Sequence, residues 1–131
     1  MNRRQLRKNI FKLLFRIEFN SSDDMPLQCE MFYEEQEASE EDKGYIHNKY
    51  QKIIDNLDQI DELIKSSSDG WDIKRLGKVD LTILRLGIYE VKFDDEIPNS
   101  VAINEAVELA KEFGQKDSSA FVNAILAKLV K

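Results

Sequence analysis

The pattern of apolar and polar positions is most distinctive between residues 78 and 93, where the chain reads KVDLTILRLGIYEVKF. At about 100° per residue, the apolar side chains cover well over half of a helix circumference, and the polar ones form one narrow strip. A surface helix has the opposite proportions, so the pattern predicts a helix that other helices surround. Gly87 lies in the apolar arc. Because a mid-helix glycine costs about 1 kcal/mol relative to alanine, it indicates a close neighbouring backbone, the alternative being a glycine without a structural role.

Apolar spacings of three and four residues recur along most of the chain and predict further helices. The predicted helices span residues 3–19, 27–35, 40–66, 78–93 and 101–113, followed by a last helix that Asp117 or Ser118 caps. Gly114 is expected as the C-cap of the helix before it. No sustained alternation predicts a strand, so the fold class is all-α, a compact bundle of six to seven helices.

The division of the chain is predicted from the break at residues 66–70, which is rich in serine and ends in glycine. A chain of 131 residues with 42% hydrophobic residues suits one domain, residues 1–131. Within it we expect an N-terminal helical half over about residues 1–68 and a C-terminal helical half over about residues 69–131.

The composition argues against catalysis, metal binding and membrane insertion. The single cysteine, Cys29, excludes an internal disulfide, and the single histidine, His47, excludes a histidine-rich metal site. We therefore expect no metal, no cofactor and no catalytic residue, and the sequence contains no Gly-x-Ser-x-Gly elbow or phosphate-binding loop. Without a signal peptide or a run of 18 apolar residues, the chain is expected to be cytoplasmic, with no membrane contact.

Charge is distributed unevenly along the chain. The net charge is −6, which disfavours a general binder of nucleic acid. Residues 1–16 nevertheless contain six basic residues and no acid, whereas residues 17–42 contain ten acids and no base. Such a molecule can bind an anion at one place and a basic partner at another.

The first helix carries a basic and aromatic face opposite its core face. Five side chains cluster there, roughly 100° or more from the centre of the core stripe: Arg4, Arg7, Lys8, Phe11 and Phe15. Basic groups neutralise phosphates, and aromatic rings stack on bases, so this face suits single-stranded RNA. The alternative is that Phe11 and Phe15 simply pack beneath a second helix.

Several segments resemble one known family. They are RRQLRKNIFKLLF (3–15), VDLTILRLGIYEV (79–91), IPNSVAINEAVELAKEFG (97–114) and DSSAFVNAIL (117–126). The chain resembles the NusB family of bacterial transcription antitermination factors over nearly its full length, most specifically in the C-terminal half. Ala124 departs from the family, which usually has glycine after the Phe-Val-Asn triplet. The resemblance implies an all-α protein of two small helical bundles.

The resemblance also implies a function and a set of residues. The expected role is non-enzymatic: binding of the single-stranded boxA element of ribosomal RNA leaders together with the ribosomal protein NusE, within the RNA polymerase antitermination complex. The RNA-binding residues implied by position are Arg3, Arg4, Arg7, Lys8, Phe15, Asp117 and Phe121. Asp80 is implied at the partner or RNA surface, although an acid near a helix start also suits the helix dipole.

Two other functions compete with this one. The chain could be a non-catalytic helical adaptor for protein partners, in which case the basic residues of the first helix stay solvated. It could also be a stand-alone RNA-binding domain like the one that precedes some ribosomal RNA cytosine methyltransferases. A small enzyme is the least favoured class.

Overall fold

The computed structural model describes residues 1–68 and 72–130, and within these ranges the secondary structure is helical, without a strand. The described α-helices are α1 (Arg3–Phe15), α2 (Met25–Glu35), α3 (Glu40–Asp55), α4 (Leu57–Ser67), α5 (Lys78–Lys92), α6 (Asn99–Phe113) and α7 (Ser118–Leu129). The all-α class and the predicted number of helices are confirmed. No helix in the described ranges has both the length and the hydropathy that crossing a membrane would require.

The chain divides into two compact units, of which the first is Met1–Asp55. In this unit α1 packs against α3. A short 3₁₀ turn, Arg16–Glu18, follows α1, and Arg16 joins it to α2 by a 2.8 Å ion pair between Nη2 and Oε2 of Glu35. The fully buried side chains of the unit are Ile10, Leu13, Leu14, Phe32, Ile46 and Ile53.

The second unit is Asn56–Lys131, and α5 is its central helix. This helix contacts α4, α6 and α7, and every residue from 81 to 90 is buried. The prediction of a surrounded helix is therefore confirmed. The burial also includes Thr82, Arg85 and Tyr89 from the predicted polar strip. Thr82 can be buried because its hydroxyl donates a 2.7 Å hydrogen bond to the carbonyl of Lys78.

Gly87 faces a crowded part of this second core. A Cβ atom added there would lie 2.9 Å from Cδ1 of Leu126 and 3.4 Å from Cβ of Ala106. The close approach predicted from the sequence is present, but side chains of α6 and α7 fill the space rather than a backbone.

The prediction of a single helix over residues 40–66 is wrong, because α3 and α4 are separate helices. Asn56, with φ −109° and ψ 13°, interrupts the helical backbone between them. The apolar spacing continues across this break, so periodicity alone does not reveal it. The two units also divide here, earlier than the boundary predicted near residue 68. Gly70 and Trp71, which belong to the predicted break and connector, lie outside the described residues.

Candidate nucleic-acid interface

A capping box at Asn2 defines the N-terminus of α1. The side chain of Asn2 accepts a 2.8 Å hydrogen bond from the backbone N–H of Gln5, and the Gln5 side chain accepts one of 2.9 Å from the backbone N–H of Asn2. This capping box fixes the helix start and places Arg3 and Arg4 in the first turn. Cations are unfavourable at that end of the helix dipole, so these arginines do not stabilise the helix through its dipole.

The four predicted basic residues differ in their exposure. Arg3 and Arg4 are exposed and Lys8 is half-buried, whereas Arg7 is only 8% exposed. A phosphate can therefore reach Arg3 and Arg4 most easily. The phosphate contact predicted for Arg7 remains a prediction, and the residue offers little exposed surface for it.

Arg3 is positioned by a tyrosine of α3. Its Nη1 donates a 2.8 Å hydrogen bond to the hydroxyl of Tyr45, and its guanidinium carbon lies 5.2 Å from the centre of the same ring. A cation held over an aromatic ring keeps its charge and loses part of its side-chain freedom. The guanidinium is consequently oriented before any ligand arrives.

The two aromatic residues of α1 differ in their burial. Phe11 is only 3% exposed, as the packing alternative predicts, whereas Phe15 is half-buried. The two rings stack with their centroids 6.1 Å apart. Phe15 is therefore the more accessible of the two rings, and the buried Phe11 ring stacks against it.

Sequence reasoning missed a third ring, that of Phe19. Phe19 follows the 3₁₀ turn and is 61% exposed, and its ring meets Phe15 edge to face at 5.1 Å. The available signal was the four-residue spacing of Phe11, Phe15 and Phe19.

The remaining predicted site residues belong to the second unit. Asp117 is exposed at the N-cap position of α7, and Phe121, one turn later, is half-buried. The Asp117 side chain makes no capping hydrogen bond, so its carboxylate is not engaged in capping α7. Asp80 is half-buried in the first turn of α5, a position compatible with either of its two expected roles. Ala124 is exposed, so its methyl group faces solvent.

Cys29 lies on α2 and faces Tyr50 of α3. It is buried, and burial raises the pKa of its thiol, with a hydrogen bond from Tyr50 acting in the opposite direction. A nucleophilic cysteine requires a lowered pKa. Cys29 is thus a buried apolar residue rather than a nucleophile.

His47 is exposed on α3, and its Nδ1 lies 2.8 Å from the hydroxyl of Tyr33. In the described part of the chain, His, Cys, Asp and Glu side chains form no group of three or more that could hold a metal ion.

The fold and the surface of α1 together define a class of protein: helical proteins with a basic and aromatic first helix.

Comparison with known proteins identifies the family within this class. The sequence pattern described as the NusB family matches residues 4–131. The transcription antitermination protein NusB of Agathobacter rectalis is 46% identical over 129 residues, which cover 98% of each chain. The chain belongs to the NusB family, a family of transcription antitermination proteins without enzymatic activity.

Solved structures show the same fold. NusB of T. maritima superimposes with a TM-score of 0.86 at 36% identity, covering 99% of this chain and 91% of that one. A crystal structure of the antitermination factors NusB and NusE with double-stranded RNA gives a TM-score of 0.86 at 22% identity, covering 98% and 95%. At that identity the second likeness shows the fold alone.

Proposed function

We propose that this chain binds the boxA element of nascent ribosomal RNA leaders together with the ribosomal protein NusE, and that the pair joins RNA polymerase to suppress premature termination. The observation that carries the proposal is the surface of α1, where two exposed arginines and a half-buried phenylalanine share one helix in a member of the NusB family.

The basic end of α1 supplies the phosphate contacts of this proposal. Arg3 and Arg4 add positive charge to the positive end of the helix dipole, a combination that favours anions. Contacts to phosphates position an RNA strand but do not read its sequence. Arg3 and Arg4, with Lys8 one turn further, therefore serve to fix the strand on α1.

The aromatic end of α1 supplies contacts to bases. A base inside a duplex is stacked between its neighbours, whereas an unpaired base can expose a face that stacks on phenylalanine. For this reason we propose single-stranded RNA as the ligand of Phe15. Phe121 and Asp117 of α7 provide a second ring and a hydrogen-bond acceptor for base edges, and Asp80 belongs to the RNA or partner surface.

The acid-rich part of the first unit suits a basic protein partner. Several of its carboxylates, including Glu30, Glu34, Glu37 and Glu41, are exposed, and such a surface attracts a partner of opposite charge. A NusB protein with this fold has been crystallised with NusE and RNA. Binding of NusE would add the partner's own phosphate contacts to those of a chain whose net charge is −6. The complex is proposed to act in the cytoplasm, where bacterial RNA is transcribed.

A transcription assay tests this function. Purified RNA polymerase transcribes a template with a boxA leader and a downstream terminator, with NusE and the other antitermination factors present. Adding the chain is expected to increase read-through on this template and not on one with a scrambled boxA. Substitution of Arg3→Ala together with Arg4→Ala is expected to remove most of the increase.

The matched control is Lys74→Ala with Arg75→Ala. This is also an adjacent pair of exposed cations, so the net charge changes equally. The control variant is expected to keep full read-through. Equal read-through on both templates with the wild-type chain would contradict the proposed function, and equal loss in both double variants would contradict the role of α1.

A further inference from the structure

Three phenylalanines at four-residue intervals form a row of rings along the first unit. The row begins at the buried Phe11, continues through the half-buried Phe15 and ends at Phe19, which is 61% exposed. The ring centroids are separated by 6.1 Å and 5.1 Å. An apolar ring exposed to this extent forgoes most of the free energy of burial, although it lies next to a ring that is half-buried.

The backbone at Phe19 is held by Arg16. The N–H of Phe19 donates a 3.1 Å hydrogen bond to the carbonyl of Arg16, and the amide of Asn20 donates one of 2.8 Å to the same carbonyl. Arg16 is itself fixed on α2 by Glu35 at 2.8 Å and by the side-chain oxygen of Gln28 at 3.1 Å. These hydrogen bonds fix the position of the 3₁₀ turn and of the Phe19 backbone that follows it.

We propose that Phe19 is a stacking platform for one unpaired base of the bound RNA, at the end of the strip that Arg4, Lys8 and Phe15 form along one side of α1. This inference rests on the proposed function and extends its site beyond Phe15. From Arg4 to Phe15 the helix rises about 16 Å, and Phe19 lengthens the strip further. Phosphates are bound at one end of the strip and bases at the other, over a length that accommodates several nucleotides.

The edge-to-face contact with Phe15 favours this role. It limits how far the ring can turn, while 61% of the residue stays exposed. A ring that is oriented beforehand loses less side-chain entropy when a ligand stacks on it. Every base offers a π-face, so such a platform accepts an unpaired base of any identity.

The first unit also offers a matched control for an exposed apolar side chain. Leu27 is 66% exposed on α2 and has no aromatic ring. If RNA binding depends on nonspecific contact with exposed apolar side chains, Leu27→Ala and Phe19→Ala should weaken it equally. If it depends on base stacking, only Phe19→Ala should weaken it.

The test is a titration of a boxA-containing RNA at a fixed, saturating concentration of NusE, followed by fluorescence anisotropy. Phe19→Ala is expected to weaken RNA binding by about tenfold, within the 5- to 150-fold range of a lost base stack. Phe19→Tyr, which keeps the ring, and Leu27→Ala are both expected to bind within about twofold of the wild type. Far-UV circular dichroism verifies that each variant is folded.

A series of RNAs with a single abasic nucleotide then locates the base. At one position, removal of the base should weaken wild-type binding while making the Phe19→Ala substitution cost nothing more, since both changes remove the same contact. If Phe19→Ala binds as well as Leu27→Ala, or its loss is the same with every abasic RNA, Phe19 is no stacking platform although the proposed function stands. If the wild-type chain does not prefer boxA over a scrambled RNA, the proposed function itself fails, and this inference with it.

Discussion

Arg85 is held inside the second unit by two parallel hydrogen bonds to one carboxylate. Its Nε and Nη2 lie 2.9 Å from Oδ1 and Oδ2 of Asp61. The fork of a guanidinium matches a carboxylate in this arrangement. The pair joins α4 to α5 and allows a charged residue to lie on the central helix of the unit.

Removal of the carboxylate in Asp61→Ala is expected to lower the free energy of unfolding by about 1–3 kcal/mol, because the mostly buried guanidinium loses two charge-assisted bonds. Urea unfolding followed by circular dichroism measures the change. Glu108→Ala is the control, since Glu108 pairs with Lys111 at 3.5 Å while both side chains are more than half exposed. It is expected to cost less than about 0.5 kcal/mol, and equal costs for the two variants would contradict the role of the Arg85 pair.

Gly114 ends α6 where no side chain fits. A Cβ atom there would lie 2.6 Å from Cβ of Ser118 and 2.7 Å from the carbonyl oxygen of Ala110. Gly114→Ala is therefore expected to destabilise the protein by about 1–3 kcal/mol through crowding. Gly44, inside α3, has no atom within 4 Å of such a Cβ, so Gly44→Ala is expected to stabilise it by about 0.5–1 kcal/mol. Thermal unfolding midpoints should thus move in opposite directions, and a shared direction would contradict this interpretation.

At the scale of helices, α2 and α3 meet around three groups that remain neutral. Cys29, Tyr33 and Tyr50 are all buried, and burial raises the pKa of each above its ordinary value. The folded state therefore favours the protonated forms. The contact between the two helices is stable where the thiol and both phenols keep their protons.

This arrangement predicts a loss of stability in alkali. The ordinary pKa is 9.0 for the thiol and 10.0 for the phenols, so above about pH 9 the unfolded chain loses protons first and the free energy of unfolding falls as pH rises. Below that range the contribution of the three groups is complete. Tyr50→Phe removes one titrating group and should flatten the decline in urea-unfolding measurements between pH 9 and pH 11. An unchanged slope in this variant would contradict the account.

At the scale of the whole molecule, a local positive surface coexists with a net charge of −6. Of the four basic residues predicted to bind RNA, three are at least partly exposed: Arg3, Arg4 and Lys8. At roughly 0.7 per phosphate for a single strand, log affinity for RNA should fall by about 2 per tenfold rise in salt. Because the net negative charge of the chain repels RNA, the affinity for RNA depends strongly on these few phosphate contacts.

The double substitution Arg3→Ala with Arg4→Ala is expected to reduce this salt slope to about 0.7, because two phosphate contacts are lost. Titrations at several salt concentrations provide the slope. The control variant Lys74→Ala with Arg75→Ala is expected to keep the wild-type slope. A slope unaffected by loss of Arg3 and Arg4 would show that phosphates bind elsewhere.

Much of the fold was predictable, because the long apolar run of α5 and the spacing within α1 dictate burial directly. The break at Asn56 was not, since Ile53, Leu57 and Ile60 continue the apolar spacing across it. The partner of Arg85 lies 24 residues away, beyond any local pattern. In the candidate site, the basic and aromatic composition of α1 could be read from the sequence, but the burial of Arg7 and Phe11 and the exposure of Phe19 depend on how α1 packs in the folded protein.

The central claim is that the exposed strip of α1 binds boxA RNA with the help of NusE. Its most direct test is an anisotropy titration of boxA and scrambled RNAs, with and without NusE, using the wild-type chain and the Arg3→Ala with Arg4→Ala variant. We predict preferential boxA binding that NusE strengthens and the variant loses. Equal binding of both RNAs by the wild-type chain in the presence of NusE would contradict the account.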